Sequence, residues 1–209
     1  MSTGFNHALQ MKIIPVVAIH DADHADALAD ALLQGGLPCA EITFRTQAAA
    51  QVIRRMARRG DILVGAGTVL TIDQVKLAVD AGAAFMVAPG LNPKVVGYCL
   101  EQNIPMAPGV ATPTDIEGAL DMGLSILKYF PAEAFGGLST LKAISAPYQN
   151  VSFIPTGGIN AKNVGAYLSH PKVAACGGSW MVTSALIADR KFDEITRLVR
   201  EAVTLIKNR

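Results

Sequence analysis

The chain has 209 residues, 51% hydrophobic and only 17% charged, a composition that excludes disorder and implies a large apolar centre in a chain of single-domain length. Lys plus Arg number 18 against 17 for Asp plus Glu, so no field gathers the phosphates of DNA or RNA, and nucleic acid is not an expected partner. Cys39, Cys99 and Cys176 lie far apart in apolar stretches without CxxC spacing and read as reduced core thiols rather than a disulfide framework or zinc site. MSTGFNHALQMK has no charged region ahead of an apolar one, and no apolar run reaches the roughly 18 residues of a membrane helix. A cytoplasmic protein without membrane attachment is expected.

In chain order, residues 1–12 read as a lead-in segment, followed by the apolar run IIPVVAI (13–19). In ADALADALLQGG, Ala27, Leu28, Ala31 and Leu32 keep the i, i+3, i+4 spacing of a helix face, and Gly35 supplies a stop. The next run is PCAEITF (38–44), and the basic stretch RRMARR (54–59) after it reads as the solvated face of a helix. ILVGAGT (62–68) precedes QVKLAVDAGA, with Thr71 as its N-cap, and AAFMVAP (83–89) precedes KVVGYCLEQN, opened by Asn92-Pro93. IPMAPGV (104–110) leads to IEGALDMG, opened by Thr112-Pro113. The last runs are LSILKYF (124–130), VSFIPTGG (151–158) and KVAACGGS (172–179), with a closing helix from Asp193 to about Lys207.

Near-continuous apolar runs predict parallel strands covered on both faces. Eight βα units in a short chain predict a single α/β domain over residues 1–209, folded as a (β/α)8 TIM barrel. An open doubly wound sheet is the alternative, but it needs a glycine-rich dinucleotide turn after the first strand, where this chain has HDADHAD.

In a barrel the C-terminal strand ends face the active site, so charged residues inside apolar strands stand out. Lys128 is flanked by Ile126 and Leu127 on one side and Tyr129 and Phe130 on the other. Desolvation there penalises the ammonium form and favours an amine able to attack a carbonyl and form a Schiff base. The same placement serves a lysine paired with a carboxylate or snorkelling to the rim. Glu41 is the one acid inside an apolar strand, and pleat parity puts Glu41, Thr43 and Arg45 on one side. It reads either as a structural ion-pair partner of Arg45 or Lys128 or as a general base.

The doublets Gly157-Gly158 and Gly177-Gly178, the second followed by Ser179, let backbone amides approach an anion after the last strands, where barrels place phosphates; ordinary tight turns use glycine too. Gly65-Ala-Gly67-Thr68 leaves room for a ligand, with the Thr68 hydroxyl as a donor. His7, His20, His24 and His170 are scattered without ligand spacing, so no metal site and no cofactor are expected.

EITFRT, VGAGTVL, APGLNP, KYFPAE, PTGGI and GGSW, in order between about Pro15 and Trp180, resemble the 2-keto-3-deoxy-6-phosphogluconate aldolase family, whose members often act on 4-hydroxy-2-oxoglutarate as well. The resemblance implies a homotrimeric class I aldolase of the Entner-Doudoroff route, without metal, that cleaves the sugar acid reversibly to pyruvate and glyceraldehyde 3-phosphate. It implies Lys128 as the Schiff-base lysine and Glu41 as the proton-transferring carboxylate. Arg45 and Thr68 match pyruvate-binding residues, and Pro89 and Phe130 match positions lining the pyruvate pocket. Thr156 matches the substrate pocket, and Gly157, Gly158, Gly178 and Ser179 match the phosphate end. Where the family carries Arg or Lys after the first strand, this chain has His20, so phosphate recognition is expected to be weaker or pH-dependent. Competing readings are a phosphosugar epimerase or isomerase without the lysine imine, and a non-catalytic phosphosugar-binding barrel.

Overall fold

The computed structural model describes residues 3–207. Helix α1 (Thr3–Gln10) comes first, then β1 (Ile13–Val17), α2 (Ala25–Gly35), β2 (Cys39–Thr43), α3 (Ala49–Arg59), β3 (Leu63–Gly67), α4 (Ile72–Ala81), β4 (Met86–Val87) and α5 (Pro93–Glu101). The second half holds β5 (Met106–Ala107), β6 (Gly109–Val110), α6 (Pro113–Asp121), β7 (Ile126–Tyr129), α7 (Gly137–Ser145), β8 (Ser152–Phe153), α8 (Val164–Leu168), β9 (Cys176–Gly178), α9 (Ser184–Ala188) and α10 (Phe192–Lys207). This is an α/β fold on parallel strands, ordered β5, β4, β3, β2, β1, β9 in one sheet and β6, β7, β8 in a second. Isolated parallel bridges join Phe153 of β8 to Val173 and Gly177 of β9 to Thr156.

Several predicted strands are shorter than their apolar runs, and proline accounts for the clearest case. Pro108 has no N–H to give and divides IPMAPGV into β5 and β6, yet its carbonyl still accepts from the Lys128 amide at 2.8 Å. Thr71, Asn92 and Thr112 each cap a helix, the last in a capping box with Asp115. Helix α2 stops one residue later than read, because Gly35 is its last residue and Gly36 takes the left-handed conformation at φ 90°. On its apolar face Ala27 is half-buried, while Ala25, Leu28, Ala29, Ala31 and Leu32 are buried.

The RRMARR stretch is more than a solvated face. Arg55 pairs with Asp23 and Asp26, and Arg59 pairs with Asp30 at 2.6 Å and Asp61 at 3.0 Å, stapling α3 to α2, while Arg54 and Arg58 stay exposed.

Alternate residues of the strands divide between two cores. The larger lies between strands and helices; the smaller gathers Ile14, Phe85, Val87, Ala107, Ile154 and Ala175 from the opposite strand faces. Helix α1, read from sequence as a lead-in, completes that smaller core with Phe5, Ala8 and Leu9, and the Phe5 ring sits 5.2 Å from that of Phe85. Phe5→Ala removes a ring 2% exposed and is expected to lower stability by about 3–5 kcal/mol. Urea denaturation reads it as a lower midpoint at unchanged slope.

Candidate active site

Parity along β2 turns Glu41 and Thr43 to the same face, and on β7 it does the same for Ile126 and Lys128. Glu41 and Lys128, 87 residues apart, meet with Nζ to Oε1 at 3.2 Å, each side chain 4% exposed. Each ion compensates the other's lost hydration, so removing either strands a buried charge. Lys128 also lies over the Phe130 ring, 5.3 Å from Nζ to the centroid.

Glycines make the space for this pair. Gly67 and Gly65 stand beside Thr43 and Glu41 in the β2–β3 register, and a Cβ on Gly67 would lie 2.0 Å from Glu41 Oε1. A Cβ on Gly65 would strike the Phe85 ring at 2.2 Å. The small residues of VGAGT, read as room for a ligand, are thus filled by the protein's own side chains. Gly109 plays a similar part beside Lys128, its register partner, because a Cβ there would lie 2.0 Å from the Pro89 carbonyl oxygen.

One residue further up β2 than Ile42, Thr43 reaches a pocket of about 460 Å³. Arg45, Phe130, Thr156, Gly157, Gly158, Gly178 and Ser179, all named from sequence, line it together. The Arg45 guanidinium makes no ion pair within 4.0 Å among the described residues, which leaves a cation available to an anionic ligand. Gly157 and Gly158 both take positive φ, 99° and 82°, which a side chain resists. Gly177 admits Thr156, whose Oγ1 would be 2.3 Å from a Cβ there, and Gly178 faces the Trp180 ring in the same way.

The remaining sequence-named residues are outside this lining, Glu41 and Lys128 among them, although Thr43 and Phe130, each two residues further along from one of that pair, belong to it. Thr68 follows Gly67, half-buried and outside the lining, and Pro89 lines a separate depression of about 210 Å³ with Val69, Leu70 and Leu91. His20 is exposed and lies with Asp21 and His24 in a small depression of about 130 Å³, which shares Ala18 and Ser184 with the main pocket. Sequence reading did not name Thr183 or Ser184 as lining residues. They follow the last strand at the start of α9, where Thr183 caps the helix and the Ser184 hydroxyl donates to the Ala18 carbonyl at 2.9 Å. Thr43 was within reach of the parity argument.

Among the described residues, no group of three or more His, Cys, Asp or Glu side chains is arranged to hold a metal ion. No helix there is long and apolar enough to cross a membrane.

The sequence model of the KDPG and KHG aldolases matches residues 6–198. A 2-dehydro-3-deoxy-phosphogluconate aldolase of Haemophilus influenzae is 52% identical over 95% of this chain and 94% of its own length. The KDPG aldolase of Legionella pneumophila, crystallised with pyruvate captured at low pH as a covalent carbinolamine, is 40% identical with a TM-score of 0.92, covering 97% of this chain and 98% of its own. The 2-keto-3-deoxy-6-phosphogluconate aldolase of Zymomonas mobilis, solved with 3-phosphoglycerate, is 36% identical with a TM-score of 0.89, covering 96% of this chain and 95% of its own. The buried glutamate–lysine pair and the glycine-lined pocket therefore stand in a chain that belongs to the KDPG and KHG aldolase family.

Proposed function

We propose that this enzyme cleaves 2-keto-3-deoxy-6-phosphogluconate reversibly to pyruvate and glyceraldehyde 3-phosphate through a Schiff base on Lys128, the aldol step of the Entner-Doudoroff route. The observation that carries the proposal is the buried Lys128–Glu41 pair, two residues before Phe130 and Thr43 of a pocket that Arg45 and four glycines also line. The covalent pyruvate adduct of the Legionella relative and the phosphorylated ligand of the Zymomonas relative support the two ends of the reading. Because the family's name covers both substrates, 4-hydroxy-2-oxoglutarate is a second substrate on this reading, cleaved to pyruvate and glyoxylate.

The chemistry follows from the contacts. Glu41, 3.2 Å from Nζ, takes a proton from the ammonium, and the amine adds to the keto carbon. Glu41 then returns that proton to the carbinolamine oxygen, which leaves as water, and the iminium is ready to accept electrons. Removal of the C4 hydroxyl proton by Glu41 breaks the C3–C4 bond, sends the pair into the iminium and frees the aldehyde. Glu41 protonates the enamine at C3, and water releases pyruvate and restores Lys128.

Arg45, unpaired at the pocket wall, holds the substrate carboxylate and so fixes which carbonyl faces Lys128. Phe130, Thr68 and Pro89 complete the pyruvate end on the family pattern, Thr156 contacts the substrate between the two ends, and Gly157, Gly158, Gly178 and Ser179 offer backbone and hydroxyl donors to the phosphate.

The strands of this proposal close into one (β/α)8 barrel domain, with β5 and β6 as one broken strand. The bridges from β8 to the β9 region and the β9–β1 pairing support that closure. A cytoplasmic homotrimer completes the reading. Burial pushes the thiols of Cys39 and Cys99 up to about 12 and about 11, in keeping with cysteines kept reduced and unreactive.

Borohydride reduction in the presence of pyruvate, followed by peptide mapping, is expected to leave a pyruvate-derived adduct on Lys128 and none in Lys128→Ala. An unlabelled native protein moves the assignment to an epimerase or a binding protein. Gly67→Ala forces Glu41 aside and is expected to lower kcat by about 10²–10³, within the range for a displaced acid–base group. Gly65→Ala, which crowds Phe85 in the smaller core, serves as its control for strand strain. Steady-state cleavage assays alongside thermal melts separate the two, and equal kinetic losses count against the part given to Gly67.

A further inference from the structure

We propose that Glu133 and Tyr167 are positioning residues for the anion end of the pocket, bracing the Gly157–Gly158 turn from behind and so setting affinity for the phosphorylated end of the substrate. The inference rests on the aldolase reading and deepens it at two residues, the last of KYFPAE and one on α8, to which the sequence reading gave no role.

Glu133 lies five residues beyond Lys128, on the 3-10 turn Glu133–Phe135. Its amide donates to the Gly157 carbonyl at 3.0 Å, and the amide before it, Ala132, donates to the Thr156 carbonyl at 2.8 Å. Its side-chain stem fills the space beside Gly158, where a Cβ would lie 2.5 Å from Glu133 Cγ. The carboxylate is then met by a second element. Tyr167, on α8 and 1% exposed, donates its hydroxyl to Glu133 Oε1. A Cβ on Gly137 would approach that oxygen to 3.0 Å and the Tyr167 hydroxyl to 3.3 Å, so glycine clears this junction as well.

The other side of the turn is held independently. Asn160 and Asn163 each donate a side-chain amide to the Gly158 carbonyl at 3.0 Å. With both carbonyls of the left-handed turn occupied, its amides are fixed in direction before any ligand arrives. Preorganised donors of this kind bind an anion without an ordering cost at the moment of binding.

Charge gives the tyrosine a second task. A carboxylate next to an anion site opposes binding if it swings toward the ligand, and the phenol keeps this one turned to the α8 side. Burial, with the adjoining Glu133 carboxylate, holds the Tyr167 phenol well above its ordinary range, so the donor stays protonated at any working pH.

The test compares substrates with and without the phosphate. For Tyr167→Phe and Glu133→Ala, KM for 2-keto-3-deoxy-6-phosphogluconate is expected to rise about tenfold, the weight of one lost hydrogen bond to a charged group. Their kinetics with 4-hydroxy-2-oxoglutarate, or the rate of borohydride-trapped pyruvate adduct, stay within twofold of the native enzyme. Glu133→Gln retains an acceptor for Tyr167 and is expected to keep KM within about threefold, and the double variant Glu133→Ala/Tyr167→Phe to lose no more than the worse single one. Weakened binding of inorganic phosphate by Tyr167→Phe, followed calorimetrically, supports the brace without reference to catalysis. An unchanged KM for the phosphorylated substrate overturns it, as does an equal loss with both substrate types. Failure of the aldolase reading shows separately, as a native enzyme that traps no pyruvate.

Discussion

One buried ion pair sets the terms for the rest of this molecule. Lys128 and Glu41 are both removed from water, and a charge in that position is tolerated only with a partner at contact distance. Strands β2 and β7, distant in sequence, are therefore held to a mutual placement that keeps 3.2 Å between the two heads. The glycines of β3 and β6 stand on either side, one admitting the carboxylate, the other letting the Pro89 carbonyl lie against the strand next to the one that carries Lys128.

A pattern of missing Cβ atoms runs through the strands. Gly65 receives Phe85, Gly67 receives Glu41, Gly177 receives Thr156 and Gly178 receives Trp180. Each is a place where a side chain from another strand or a nearby turn lies directly on the backbone. Packing of this kind leaves little freedom to either partner, and interiors of such density transmit displacement instead of absorbing it. Rigidity at the floor of the pocket thus comes from small residues as much as from large ones.

What could be read in the sequence follows the same physics. Lys128 and Glu41 declared themselves because a charge inside an apolar run is rare and parity gives its direction. The glycine doublets were legible from their places after the last strands and the three N-caps from local chemistry, while Arg45 and Thr156 entered the pocket through the family motifs. Helix α1 was hidden because TGFNHALQ is short and without a strong start signal, and its apolar residues matter only once a core exists to receive them. Thr68 was named by its place after the third apolar run and by motif, Pro89 by motif alone, and neither lines the pocket that holds Arg45. The brace between Glu133 and Tyr167 joins residues 34 apart through one hydroxyl, and nothing in either local stretch announces the other.

Helix α1 also decides how traffic through the site must run. By packing Phe5, Ala8 and Leu9 against Phe85 and its neighbours, it fills the smaller core with buried side chains, and no residue of that core lines the pocket that holds Arg45. With that side filled, a ligand of the pocket exchanges with solvent elsewhere than past helix α1. On the proposed mechanism the fragment bonded to Lys128 is the later to leave, because hydrolysis of its iminium follows loss of the aldehyde.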